Sequence, residues 1–177
     1  MAGSTQDHHL ITSGLSPSVA TMTRHWVTCG TPTTPGILNP LIAACDGGYV
    51  PDEVHVLSNP PVADDVEEAV TLMEETVAAY GGDTETDVHE LVSETDFESI
   101  VDYYQSCIEA ATTAGDEIAI DVTPGRKFMS AIAFQAGIQF GADHVYYFHR
   151  KAGRYRGRFY PEMPRTASDL IDFTEVL

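Results

Sequence analysis

Positive charge is scarce in this chain. Its 177 residues hold nine Lys and Arg, only two of them lysine, against 27 Asp and Glu. A formal charge of −18 excludes general binding to duplex DNA or to anionic membrane surfaces, which both need a spread of cations. So acidic a composition with so little lysine is typical of proteins of a salt-rich cytoplasm, where salt screens the self-repulsion. Long apolar runs are missing too, and nothing approaches the roughly 20 residues of a bilayer span. Met1 to Thr23 lacks a basic segment followed by an apolar one, so no signal peptide is expected. Its Gly, Ser, Thr and His content predicts a disordered leader over 1–23 and one globular domain over 24–177.

Cysteine is sparse. Cys29, Cys45 and Cys107 are odd in number, widely spaced and without a C-x-x-C pair, which excludes a disulfide framework and a zinc ribbon. They are expected to be reduced cytoplasmic thiols. His8, His9, His25, His55, His89 and His144 show no ligand spacing, so no metal site is expected. No cofactor is implied. The chain lacks G-x-G-x-x-G after its first strand and has no G-x-x-x-x-G-K-[ST], which count against a dinucleotide-binding or P-loop enzyme.

The few cations present are concentrated. Only Arg24 precedes residue 126, and the other eight basic residues lie between Arg126 and Arg165 with just two acids, Asp143 and Glu162. A positive patch in an acidic protein focuses field lines on an anionic ligand. At its head stands Asp121-Val122-Thr123-Pro124-Gly125-Arg126-Lys127-Phe128-Met129. An apolar strand from Glu117 runs into it, and a helical segment from Met129 to Ile138 leaves it. Strand, Pro-Gly turn with two cations, then helix is the layout of a phosphate-binding loop, because unpaired N–H groups and the dipole at the helix start favour an anion.

The remaining chain alternates strand and helix. Residues 25–30 predict a first strand, and Gly30 to Gly36 a turn rich in hydroxyls. Ile37 to Ala44 predicts a helix that stops near Gly47-Gly48. Val54 to Leu57 predicts a strand ending at Ser58-Asn59. Val66, Ala69, Val70, Met73, Val77 and Tyr80 mark an amphipathic helix over 63–80. Thr86 to Leu91 is a third strand, Asp96 caps a helix over 97–113, and Val145 to Phe148 is a fifth strand. Residues 149–160, with four arginines, predict a hairpin or basic loop, and 168–177 a terminal segment of open form. The fold class is α/β, a Rossmann-like parallel sheet with helices on both faces. Ligands in such sheets sit beyond the carboxyl ends of the strands. That rim gathers the Gly30–Gly36 turn, Ser58-Asn59, the Thr123–Lys127 turn and His149.

These loops resemble the CRISPR-associated Rossmann-fold (CARF) family, and within it the small stand-alone archaeal ring nucleases. The family pattern after the fourth strand is Asp/Asn-x-Thr-Gly-Gly-Thr/Arg-Lys-x-Met, and this chain has Asp121-Val-Thr123-Pro124-Gly125-Arg126-Lys127-Phe-Met129-Ser130. The first strand and turn, Thr28-Cys29-Gly30-Thr31, two extra residues, then Thr34-Pro35-Gly36, are similar to Thr-Leu-Gly-Thr-Ser-Pro-Gly. Two departures stand out: Pro124 replaces the first glycine of the pair and removes one N–H, and the first loop is two residues longer. The resemblance implies a single CARF-type domain in a homodimer that binds cyclic oligoadenylate, chiefly cyclic tetra-adenylate, across its two-fold axis. It further implies metal-independent cleavage to linear di-adenylate by attack of a ribose 2′-hydroxyl, which switches off type III CRISPR signalling.

Carried over residue by residue, the resemblance makes Thr34, Arg126 and Lys127 the catalytic candidates, with Thr33 an alternative to Thr34 in the place of the family's serine. Gly30, Thr31, Thr33, Gly36, Ser58, Asn59, Thr123, Gly125, Ser130 and His149 are the ligand-binding candidates. His149 can also serve as acid or base near neutral pH, or be an ordinary surface histidine. Cys29 is expected to pack behind the loop. Tyr146, Tyr147 and Phe148 are expected in the core and dimer surface, with one ring able to stack on adenine. A second reading is a sensor or sponge that binds the ring without cutting it. A third is an unrelated nucleotide-binding α/β enzyme.

Overall fold

The computed structural model describes residues 21–177. The expected leader lies outside the described residues except for its last three positions, and so do His8 and His9.

Six strands form one sheet in the order β3-β2-β1-β4-β5-β6. They are β1 (Arg24–Cys29), β2 (Glu53–Ser58), β3 (Glu85–Glu90), β4 (Glu117–Asp121), β5 (His144–Arg150) and β6 (Ser168–Asp172). The first five run parallel, joined through α1 (Thr34–Asp46), α2 (Ala63–Ala79), α3 (Phe97–Ala114) and α4 (Lys127–Phe140). This is the doubly wound arrangement, and the strand order reverses between β1 and β4.

The central strands are apolar on both faces because helices cover both. Val27, Cys29, Leu57, Ile118 and Ile120 pack with α3 and α4, while Trp26, Val54, Val56 and Ala119 pack with α1 and α2. The two-residue strand period produces this split: odd and even positions of one strand feed different cores. Trp26, Ile37, Leu41, Met73, Tyr104 and Ile108 are fully buried. Among the described residues no helix is long and apolar enough to cross a membrane.

One expectation is corrected, and one pair of alternatives is decided. The terminal segment is an edge strand, β6, antiparallel to β5, so the sheet is mixed rather than wholly parallel. Residues 151–167 form no hairpin of their own; they are a loop of short 3-10 turns joining β5 to β6. That loop is fastened to α1. Asn39 donates to the Arg158 carbonyl at 2.9 Å and accepts from Tyr160 N–H at 2.8 Å, and Asp46 receives Tyr160 O–H and the Arg165 guanidinium.

Helix α1 begins at Thr34, three residues before the expected start, because Pro35 supplies the φ of a first helical turn. Helix α4 begins at Lys127 rather than Met129, so Lys127 is a helical residue and not part of the turn.

Candidate functional site: two clefts at the strand-order reversal

The turn after β4 is held from three sides. Asp121 is fully buried and accepts from Thr28 Oγ1 and from Thr123 N–H, both at 2.9 Å. Burial pushes its carboxyl up to about 7, against the opposing pull of the bonds from Thr123 and Thr28. The Thr123 hydroxyl oxygen accepts from Phe148 N–H at 2.8 Å, tying the turn to β5. Cys29 Sγ and Ser130 Oγ both donate to the Pro124 carbonyl at 3.1 Å.

Gly125 then turns the chain at φ +91, and a Cβ there would collide with the Cys29 sulfur. Only glycine meets both demands. Burial, followed by the Asp121 charge, pushes the Cys29 thiol up to about 12, so it is a packed thiol rather than a nucleophile, as expected. Beyond Gly125, α4 starts with unpaired N–H groups and no acid in its first turn.

Across the reversal, Thr33 caps α1 with extended backbone and makes no side-chain cap bond. Its neighbour Gly36 is packed so closely that a Cβ would fall 2.7 Å from Thr33 Oγ1 and 2.9 Å from Thr31 Cγ2. The bond from Cys29 to the Pro124 carbonyl holds this turn beside the one after β4, and the two flank an open cleft of about 700 Å³. Its walls are Thr31 and Thr33 from the turn between β1 and α1, Gly36 and Asn39 from α1, Thr123 to Gly125 from the β4 turn, Tyr147 to Arg150 from β5, and Arg156-Gly157 from the basic loop. A second cleft of about 410 Å³ opens on the other side of Thr31 and Gly125, lined also by Gly30, Asn59, Glu94 and Arg126.

The structure thus brings Thr31, Thr33, Gly36, Thr123, Gly125 and His149 together, and sets Gly30, Asn59 and Arg126 in the adjoining cleft. Asn59 is 4 % exposed, and its Oδ1 has no hydrogen-bond partner among the described residues, an unmet acceptor beside that cleft. Other candidates fall elsewhere. Thr34 and Lys127 line neither cleft. Ser58 borders a separate depression with Asp64, Glu67 and Glu90, whose charge opposes an anion. Ser130 is spent on Pro124. Arg126 pairs with Glu94 at 3.1 Å, so its charge is shared with a carboxylate.

Sequence reasoning missed Asn39, which reaches the site only because it anchors the loop carrying Arg156. It also missed Glu94, since nothing local marks it, whereas Arg150 and Arg156 come from the arginine-rich stretch 150–158 that the sequence offers as a source of phosphate contacts. Tyr147, 37 % exposed, lines the larger cleft, while Tyr146 stacks on Trp26 in the core.

The histidines show a grouping that their spacing in the chain does not reveal. His25 and His55 have no ligand spacing in sequence, yet β1 and β2 pair in parallel and bring their ring nitrogens to 3.1 Å. Together with Glu53 they form a group of metal-ligating type at the end of the sheet opposite the clefts.

Comparison with known proteins agrees with this architecture. The family described as CRISPR-associated protein NE0113 matches residues 46–172, more than half of the chain. No curated protein matches the sequence significantly. Among solved structures, Enterococcus italicus Csm6 bound to cyclic hexa-2′-fluoro-hexa-dAMP superposes with a TM-score of 0.59 at 14 % identity, over 85 % of this chain and 41 % of that one. A type III CRISPR defence DNA nuclease activated by cyclic oligoadenylate gives 0.51 at 14 % identity, over 76 % of this chain and 20 % of that one. Protein VC1899 from Vibrio cholerae gives 0.51 at 10 % identity, over 70 % and 30 %. The chain thus spans less than half the length of each of these three, and the likeness is one of fold.

Proposed function

The chain belongs to the family of CRISPR-associated protein NE0113, and from that premise we propose that it binds cyclic oligoadenylate in the larger cleft. As a CARF-type ring nuclease it would act on cyclic tetra-adenylate, cut it without metal to linear di-adenylate and so switch off type III CRISPR signalling. One observation carries this reading: the two turns flanking the strand-order reversal converge on a cleft with hydroxyls, Arg150 and Arg156, in a chain of net charge −18. Two proteins of similar fold are described with cyclic oligoadenylate or a cyclic hexanucleotide analogue, which supports the ligand class by analogy. The cleft falls in the size range for one small ligand, and a ring of four nucleotides is larger. Two copies related by a two-fold axis, each offering the same cleft to half of the ring, suit that ligand.

Cleavage would proceed by in-line attack of a ribose 2′-hydroxyl on the adjacent phosphorus, leaving a 2′,3′-cyclic phosphate and a free 5′-hydroxyl. The protein's part is to fix that alignment and to stabilise charge on the phosphorane. Thr33 lines the cleft and Thr34 does not, so the orienting hydroxyl is assigned to Thr33. Arg150 and Arg156 face the phosphates, and His149 is placed to protonate the leaving oxygen. Arg126 reaches the ring from the adjoining cleft.

A specific observation favours the second reading, a sensor or sponge. Thr34 and Lys127 line neither cleft, and Glu94 holds Arg126. Mass spectrometry after incubation with cyclic tetra-adenylate in molar KCl and EDTA separates the two. The expected product is di-adenylate ending in a cyclic phosphate, formed at least tenfold more slowly by Thr33→Ala and at an unchanged rate by Thr34→Ala. An intact ring that stays bound through gel filtration would leave the sensor, and an intact, unbound ring would overturn both.

A further inference from the structure

The starting ends of β1 and β2, opposite the clefts, hold a cluster that nucleotide binding does not use. Strand pairing sets His25 against Glu53, and the two-residue strand period puts His55 on the same face as Glu53. His25 Nδ1 lies 3.1 Å from His55 Nε2 and 3.3 Å from Glu53 Oε2, and His55 Nε2 lies 3.6 Å from that same oxygen. The three donor atoms form a nearly equilateral triangle. A tetrahedral zinc ion with bonds of about 2.0–2.1 Å holds its ligand atoms about 3.3–3.4 Å apart. The edges of the triangle bracket that spacing.

The surroundings agree. The other ring nitrogen of His25, Nε2, lies 3.4 Å from Asp116 Oδ2. A carboxylate on the far nitrogen is what orients a ligating imidazole and fixes its tautomer. Asp87 stands opposite His55 in the β2–β3 register and adds negative charge. The nearest cation in sequence, Arg24, is turned to Glu117 and the Gly48 carbonyl. The His25 and His55 side chains are 13 % and 19 % exposed, whereas Glu53 is 46 % exposed. Two rings are thus set by rigid strands and the third ligand opens to solvent.

We propose that His25, Glu53 and His55 bind one divalent transition-metal cation of the zinc class, with a fourth position open to water. Two imidazoles and one carboxylate suit zinc or its first-row neighbours, whereas magnesium and calcium take oxygen ligands. Without the cation the two ring nitrogens lie within hydrogen-bonding distance of each other, and a bound cation would take the place of that contact. The bound ion clasps β1 to β2 at the end of the sheet remote from the clefts, leaving nucleotide cleavage independent of metal.

The test is calorimetric titration of the metal-stripped full chain with ZnCl2. The same titration with CoCl2, followed by visible absorption, reports tetrahedral coordination. Both are done in a His8→Ala/His9→Ala background, so that adjacent histidines near the start of the chain do not contribute. One zinc per chain is expected. His55→Ala should weaken it at least tenfold, and Asp116→Asn by about 10- to 100-fold, the usual effect of losing such an outer carboxylate. Glu53→Gln, at a half-exposed position that does not threaten the fold, should weaken it at least tenfold as well. Absence of stoichiometric binding would overturn the proposal, as would zinc binding unchanged by both His55→Ala and Glu53→Gln, or an equal response to magnesium.

Discussion

Asp121 is the residue on which the site turns, and its chemistry is set by where it sits. A carboxyl in complete burial at the end of β4 costs desolvation whenever it ionises, and that cost lifts it to about 7. The unfolded chain ionises the same group near the usual carboxylate value of 3.8. Between these two values the folded state holds the extra proton, so this residue's contribution to stability is full at the lower end and is lost as pH rises. Asp121→Asn should therefore gain on the wild type as pH goes from about 4 to about 7, with a slope of up to about 1.4 kcal/mol per pH unit. Paired urea unfolding curves at several pH values check this, and a constant difference between the two proteins would contradict it.

At the scale of elements, the basic loop depends on α1. Asn39, 2 % exposed, uses both ends of its amide to hold residues 158 and 160, the NH2 donating and the carbonyl oxygen accepting. Asn39→Ala removes two hydrogen bonds and leaves backbone groups unpaired, a loss of about 1–3 kcal/mol. More telling is where the loss falls. Limited trypsin digestion should cut at Arg154, Arg156 and Arg158 at least several-fold faster, and affinity for cyclic tetra-adenylate should fall because Arg156 is no longer held at the cleft. Equal cleavage rates in variant and wild type would show that the loop is anchored by Asp46 alone.

For the whole molecule, the dominant fact is charge. A net −18 over 177 residues repels itself, and salt shortens the range of that repulsion to about 10 Å at 0.1 M and about 3 Å at 1 M. Ligand binding at the basic rim has the opposite salt dependence, because screening weakens attraction as well. Raising KCl from 0.1 M to 2 M should thus raise the melting temperature while weakening binding of cyclic tetra-adenylate. Differential scanning calorimetry and equilibrium dialysis read the two trends. Stability that falls with salt would show that the acidic surface is not what limits the fold.

The sequence by itself determined the alternation of strands and helices, because hydrophobic period is a local property: Val66 to Tyr80 and Ile100 to Ala111 could be assigned without their partners. It also marked the two loops that face the larger cleft, through Gly125 and the hydroxyl-rich turn after Cys29. Tertiary structure decided everything that depends on neighbours distant in the chain. Strand order put β1 beside β4 and so joined those loops. The antiparallel edge strand β6 formed because β5 offered an unpaired edge, a demand that residues 168–172 do not announce. A single step, from the helix cap into the first residue of α1, separated Thr33, on the cleft, from Thr34, off it, and parallel register alone placed His25 beside His55. Local pattern fixes what an element is; contact between elements, which no short window of sequence contains, fixes what its side chains meet.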